Sequence, residues 1–119
     1  MIQSYKDLIV WQKSMDLVEE IYFITGQFPK EEIFGLTSQM RRAAVSIPSN
    51  IAEGRTRSYK KEYVQFLLTA YASGAELETQ ILLSKRLHKN KKIDYNKADN
   101  LLTEVMKMLN VLIYKLRSD

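Results

Sequence analysis

The sequence predicts an all-α protein, an antiparallel up-down-up-down four-helix bundle that forms one domain over residues 1–119. Four segments place apolar residues at spacings of three and four, which is the period of a helix with one buried face. No segment shows the sustained alternation of a strand, and four Gly and two Pro are too few for a turn-rich fold. Because the connections between these long segments are short, sequential helices should be antiparallel neighbours.

The first helix is predicted over residues 6–25 and ends at Gly26 and Pro29. The apolar stripe that we expect to face the core consists of Leu8, Trp11, Met15, Val18 and Tyr22.

The second helix is predicted over residues 36–54 and contains Pro48. Proline lacks the N–H of a regular helix and costs about 3 kcal/mol in a helix interior. We therefore expect a kink between Ser46 and Ser49, with both hydroxyls and the Asn50 amide available to the freed backbone groups.

The third and fourth helices are predicted over residues 59–88 and 94–116. Helices one and three carry a second apolar line each, so their apolar surface is wider than one bundle core requires. Surplus apolar surface on a helix favours a contact with another subunit. The residues of these second lines, which we expect at the interface of a homo-oligomer, are Val10, Leu17, Ile21, Ile24, Val64, Leu68, Tyr71, Ala75 and Leu82.

Glu78 points into the wide apolar arc of the third helix. A buried carboxylate without a partner is costly. Either it pairs with a polar group across an interface, or it lies at an edge in water. In the same helix Ala70 and Gly74 should allow a close approach, with Ala43 and Ala44 as candidate neighbours.

The positive charge is concentrated in two segments, residues 41–61 and 85–92. They contain eleven of the eighteen basic residues and one acid, Glu53, so they carry +10 while the remainder carries −6 and the chain +4. Such segments attract polyanions, although a solvated helix surface would have the same composition. The candidate nucleic-acid-binding residues are Arg41, Arg42, Arg55, Arg57, Lys60, Lys61, Lys85, Arg86, Lys89, Lys91 and Lys92.

The composition argues against an enzyme. There is no Cys, so disulfides, thiol nucleophiles and thiolate metal sites are excluded. His88 is the only histidine, Glu76 and Glu78 point to different faces of a helix, and all four glycines are isolated. We expect no catalytic residue, no metal and no cofactor.

The sequence also predicts a cytoplasmic protein without a membrane segment. The longest stretch free of charged residues, Val64 to Ala75, has twelve residues, whereas a spanning helix needs about 20. The N-terminus has no signal-peptide pattern.

A nine-residue string, Ser46-Ile47-Pro48-Ser49-Asn50-Ile51-Ala52-Glu53-Gly54, gives the chain a specific resemblance. Residues 5–12, 28–32, 35–44 and 75–80 also match, and residues 72–75 depart from the pattern. The sequence resembles the family of four-helix-bundle proteins encoded in intervening sequences of bacterial 23S ribosomal RNA genes.

This resemblance implies a ring-like homopentamer and supplies no catalytic residues. The sequence is also similar to the accessory variability determinant of diversity-generating retroelements, a basic pentamer that works with a reverse transcriptase and binds nucleic acid. A reverse transcriptase or a ribosomal component is therefore an implied protein partner.

Two functions remain open from the sequence. The first is a non-enzymatic homo-oligomer that binds RNA or DNA without sequence preference through its basic residues, as an accessory to a nucleic-acid enzyme. The second is a protein–protein scaffold whose basic ends dock an acidic protein partner.

Overall fold

The structure is a computed structural model that describes residues 4–118. Its four α-helices are α1 (Ile9–Thr25), α2 (Leu36–Arg55), α3 (Lys60–Leu87) and α4 (Asn96–Ser118). No strand occurs among the described residues, which confirms the all-α class with four helices. Of the domain predicted over residues 1–119, residues 1–3 and 119 lie outside the described part.

The first helix begins at Ile9 rather than at residue 6. Leu8 is extended, with φ −73° and ψ 124°, and it separates α1 from a short 3₁₀ helix, Tyr5–Asp7. The Ser4 side chain caps that 3₁₀ helix by accepting a hydrogen bond from the Lys6 N–H at 3.1 Å. A second 3₁₀ helix, Lys30–Glu32, lies in the connection between α1 and α2.

The four helices enclose one core. Helix α1 packs against α2 and α4, and α3 packs against the same two helices. The overall dimensions are 49 × 24 × 22 Å, so the molecule is about twice as long as it is wide. Large side chains that are completely buried come from all four helices, as in Leu17, Ile47, Leu77 and Leu109.

The prediction that the second apolar line of α1 faces another subunit is wrong. Its four members are buried in the core of the single chain, and Val64 of α3 is buried there as well; the residues concerned are Val10, Leu17, Ile21, Ile24 and Val64. Helix α1 is turned so that the expected core line lies towards its edge, where Met15 and Tyr22 are exposed.

The buried face of α1 contains two hydroxyl groups that the periodicity did not weigh. Ser14 and Thr25 lie on the buried face, where each donates a hydrogen bond of 2.8 Å to a helix carbonyl, that of Trp11 or Ile21. Because these bonds satisfy both hydroxyls, the face remains compatible with the core.

The other predicted interface residues belong to α3 and are more accessible. Leu68 and Tyr71 are half-buried, and Ala75 and Leu82 are exposed. Glu78 is also exposed, at the groove between α3 and α4, so it lies at an edge in water. The neighbour of Gly74 differs from the one expected. A Cβ atom there would meet Met106 of α4 rather than Ala43 or Ala44.

Helix α2 continues through Pro48 as one helix. The Ser49 hydroxyl donates to the Val45 carbonyl at 2.8 Å, and the Asn50 amide donates to the Ser46 carbonyl at 2.8 Å. The Ser46 hydroxyl is also paired with the Ser73 hydroxyl of α3 at 2.8 Å. These polar groups support the helix around the proline and join it to its neighbour.

Near the C-terminal end of α2, Gly54 allows a close approach to the first turns of α3. A Cβ atom at Gly54 would lie 2.7 Å from the Phe66 Cβ and 3.3 Å from the Tyr63 carbonyl oxygen. Burial raises the pKa of the Tyr63 hydroxyl, and the positive charge of Arg55 lowers it by a smaller amount.

We predict that Gly54→Ala destabilises the protein by about 1–2 kcal/mol. Overpacking costs about 1–3 kcal/mol, and the better helix propensity of Ala returns up to about 1 kcal/mol. The matched control is Gly74→Ala, whose new methyl group meets only the flexible Met106 thioether and should cost less. Urea unfolding measures both variants, and a Gly54→Ala variant as stable as the wild type would contradict the packing described.

We also predict that the Tyr63 hydroxyl makes stability depend on alkaline pH. Its folded-state pKa is raised, so above about pH 10 the unfolded chain loses this proton while the folded chain keeps it. The free energy of unfolding should therefore fall from about pH 10 upward until the folded-state pKa is passed. Tyr63→Phe should remove that part of the fall, whereas Tyr114→Phe, at an exposed position, should not.

Candidate nucleic-acid interface

The first group of basic residues lies where α2 ends and α3 begins. Arg55 is the last residue of α2, and Lys60 and Lys61 open α3. The Arg57 guanidinium bonds the Glu53 carboxylate at 3.0 Å and lies 4.7 Å above the Phe66 ring. Arg57 is therefore partly neutralised and is held against α3.

A groove of about 620 Å³ adds residues that the sequence did not single out. Its lining comes from the start of α3 and the end of α4 and consists of Lys60, Lys61, Val64, Gln65, Leu116 and Arg117. The topology alone could have indicated Arg117, because an up-down bundle brings the end of the fourth helix beside the start of the third. The groove combines cationic side chains with an apolar floor.

The second group of basic residues lies at the end of α3 and just after it. The Lys85 ammonium bonds the Asp99 carboxylate at 2.7 Å and lies 5.5 Å from the centre of the Tyr95 ring, so it is held against α4. The remaining cations are exposed, and within residues 4–118 no carboxylate lies within salt-bridge distance of them; they are Arg86, Lys89, Lys91 and Lys92.

His88 fixes the connection between α1 and α2 to the end of α3. Its Nε2 atom lies 2.7 Å from a Glu32 carboxylate oxygen, and its ring packs 5.2 Å from the ring of Phe28. Both side chains of the His88–Glu32 pair are largely buried. The single histidine therefore has a structural contact, and it lies beside the cations of residues 85–92.

Arg41 and Arg42 of α2 lie at the surface groove between α2 and α1. The Arg41 Nε atom donates to the Thr25 hydroxyl at 2.9 Å, and the guanidinium carbon lies 4.5 Å above the Tyr22 ring. Both arginines line a groove of about 460 Å³ together with Ile33. Ile33 follows Glu32 in the chain, and Glu32 bonds His88 just after α3. This groove therefore lies near the end of α3.

The structure therefore divides the eleven predicted basic residues into two groups. Arg55, Arg57, Lys60 and Lys61 form one, which Arg117 joins. Residues 85–92 supply the other, with Arg41 and Arg42 nearby on α2. The sequence did not indicate that Tyr22 lies beneath Arg41, because Tyr22 was predicted to face the core.

Three comparisons with known proteins bear on this arrangement. Residues 6–111 match the family described as 23S rRNA-intervening sequence protein. The fold is similar to the crystal structure of a protein of unknown function from the S23 ribosomal protein family of Bacteroides thetaiotaomicron, with a TM-score of 0.79 and 24% identity. That similarity covers 88% of this chain and 98% of the other. No curated protein matches the sequence.

No helix within residues 4–118 combines the length and apolar character needed to cross a membrane. The family match extends over most of the chain and includes all of the basic residues discussed above except Arg117. The chain therefore belongs to the 23S rRNA-intervening sequence protein family.

Proposed function

We propose that the protein is a non-enzymatic homo-oligomeric helical bundle that binds RNA or DNA without sequence preference through its two basic groups. The observation that carries this proposal is a set of exposed cations for which the described residues provide no carboxylate partner. They are Arg42, Lys61, Arg86, Lys89, Lys91 and Lys92. Cations kept free in this way can neutralise phosphates and release the counterions that surround a nucleic acid.

The proposal includes an antiparallel up-down-up-down arrangement, which puts the two groups at opposite ends. Contacts between α2 and α3 support it, because Ser46 pairs with Ser73 while Gly54, further along α2, meets Tyr63, earlier in α3. Between α3 and α4, Gly74 meets Met106 whereas Lys85 bonds Asp99. In both pairs of helices, residue numbers rise along one helix as they fall along the other.

The distance between the two groups follows from the length of α3. Its 28 residues span about 42 Å at 1.5 Å each, several times the Debye length of about 8 Å at physiological salt. Each group therefore acts as a separate binding surface. Phosphate contacts of this kind fix a nucleic acid in place without reading its sequence.

Self-association would multiply these surfaces. Leu82, Leu83 and Leu87 are exposed in the last turns of α3, and Ala75 is exposed earlier on the same helix. Contact between copies would remove such apolar groups from water. We propose the ring-like homopentamer that the family resemblance implies, which would carry about +20 and strengthen the attraction of a polyanion.

A protein–protein scaffold is the second candidate. It is favoured by large apolar side chains that are exposed beside the basic groups, such as Phe34, which is 93% exposed. The partner would be an acidic protein, and a reverse transcriptase or a ribosomal component fits the family resemblance. In a pull-down from nuclease-treated extract, a protein partner would be retained, whereas a partner bound through nucleic acid would be lost.

We predict that replacing Lys89, Lys91 and Lys92 together by Gln weakens binding to a 20-nucleotide RNA and reduces its salt dependence. On single strands each lost phosphate contact should lower the slope of log affinity against log salt by about 0.7. Fluorescence anisotropy across a salt series measures this slope.

The control replaces Lys107, in the middle of α4 and away from both proposed groups, by Gln. It is compared with the single variant Lys91→Gln, which removes the same charge within the second group. Equal slopes for these two single variants would mean that only net charge matters. Absence of binding by the wild-type protein at low salt would reject nucleic-acid binding altogether.

We also predict a solution mass of about five times the 13.9 kDa of one chain. Light scattering measures it directly. Leu82→Lys, in the exposed part of α3, should lower the mass, because a charge would have to be buried at the contact. Tyr114→Lys, at an exposed position of α4, is the matched control. A wild-type mass near 14 kDa at micromolar concentration would contradict the oligomer.

A further inference from the structure

We propose that the groove between α1 and α2, lined by Arg41, Arg42 and Tyr22, is a nucleotide subsite for single-stranded nucleic acid. It would take one phosphate together with the base next to it. This inference rests on the proposed function and gives one part of the surface a chemistry that general positive charge does not supply.

Arg41 is held in a fixed orientation before any ligand arrives. Its Nε atom donates to the Thr25 hydroxyl at 2.9 Å, and Thr25 is only 3% exposed. The Thr25 hydroxyl gives its own proton to the Ile21 carbonyl at 2.8 Å, so its oxygen is available to accept the bond from Arg41. A guanidinium positioned in this way loses less conformational freedom when it binds an anion than a mobile lysine does.

The groups around Arg41 suit a phosphate. Ser38, Arg41, Arg42 and Val45 line the groove from α2 at helical spacings of three and four, so they share one side of that helix. Two guanidinium groups and a hydroxyl can donate several hydrogen bonds to phosphate oxygens, and charge-assisted bonds to Arg are among the strong ones. Arg42 is exposed and has no carboxylate partner among residues 4–118.

The same groove offers a flat surface for a base. The Arg41 guanidinium covers one face of the Tyr22 ring, with its carbon 4.5 Å from the ring centre, and Tyr22 remains 45% exposed. A base can therefore stack on the outer plane of the guanidinium or on the open part of the ring. Unstacked bases pack on aromatic rings and on guanidinium planes. Ile33 and Val45 add apolar walls, and the volume of about 460 Å³ is within the range of small-ligand sites.

This chemistry distinguishes single strands from duplexes. A duplex presents phosphates but keeps the faces of its bases stacked inside, so it can use the basic groups but cannot use the Tyr22 surface. The subsite would therefore make the protein prefer single-stranded nucleic acid. Lys89, Lys91 and Lys92, which lie over no aromatic ring within residues 4–118, would contribute equally to both forms.

The experiment measures the affinity of the full-length chain for two fluorescent probes, a 12-nucleotide oligouridine and a 12-base-pair RNA duplex, at one salt concentration. Arg41→Lys keeps the charge but loses the planar fork. Thr25→Val keeps every charge and removes the group that positions Arg41. Tyr22→Leu removes the flat ring. The control is Tyr114→Leu, which changes an exposed tyrosine of α4 outside the groove.

We expect Arg41→Lys to weaken binding of the single strand about tenfold and Tyr22→Leu to weaken it about fivefold or more. Thr25→Val should lower that affinity by a smaller factor, since Arg41 remains but is less well held. Binding of the duplex should change by less than about twofold in Tyr22→Leu, because a duplex keeps its bases stacked inside. Tyr114→Leu should bind both probes like the wild type. Thermal unfolding and light scattering confirm that each variant is folded and has the wild-type mass.

Three outcomes would overturn the inference. If Arg41→Lys binds the single strand like the wild type, the groove contributes charge only. If Tyr22→Leu loses affinity for both probes equally, no base is bound there. If the groove variants change the solution mass instead of the affinity, the groove is a contact between copies. In each case a wild-type protein that still binds RNA leaves the proposed function standing, whereas a wild type that binds neither probe rejects both.

Discussion

The close packing of α2 against α3 is the constraint on which the rest of the structure depends. It requires Gly54, because a side chain there would overlap Phe66, and it includes the hydrogen bond between the Ser46 and Ser73 hydroxyls. Pro48 lies between these two contacts and is buried. Side chains that follow Pro48, those of Ser49 and Asn50, donate to the carbonyls of Val45 and Ser46 in the turn before it. Because α2 and α3 carry or flank all eleven candidate basic residues, this packing decides which cations come together.

The basic residues differ in how firmly they are held, and each group contains both kinds. Arg57 and Lys85 each bond a carboxylate and lie over an aromatic ring. Exposed ion pairs of this kind stabilise a protein by no more than about 1 kcal/mol. The carboxylates offset the charge of Arg57 and Lys85, whereas no carboxylate within residues 4–118 lies within salt-bridge distance of Lys61 or of the lysines after α3. Arg41 is different again, since a buried hydroxyl and a ring fix it without neutralising its charge.

The sequence predicted the fold class because helical period is a strong signal in long amphipathic segments. It could not predict which of the two apolar lines of α1 faces the core. Both lines have similar apolar content, and the hydrogen bonds that allow Ser14 and Thr25 to be buried are not visible in a periodicity. The same error hid the candidate subsite, because Tyr22 was assigned to the core. The first helix begins later than predicted for a local reason, the extended backbone of Leu8, that spacing does not reveal.

The claim that the basic groups bind nucleic acid is tested most directly by labelling lysines with acetic anhydride, with and without a bound 20-nucleotide RNA, and reading each site by mass spectrometry. The account predicts that RNA protects Lys61, Lys89, Lys91 and Lys92 and leaves Lys107, in the middle of α4, as reactive as before. Protection spread evenly over all of these lysines, or confined to Lys107, would contradict it.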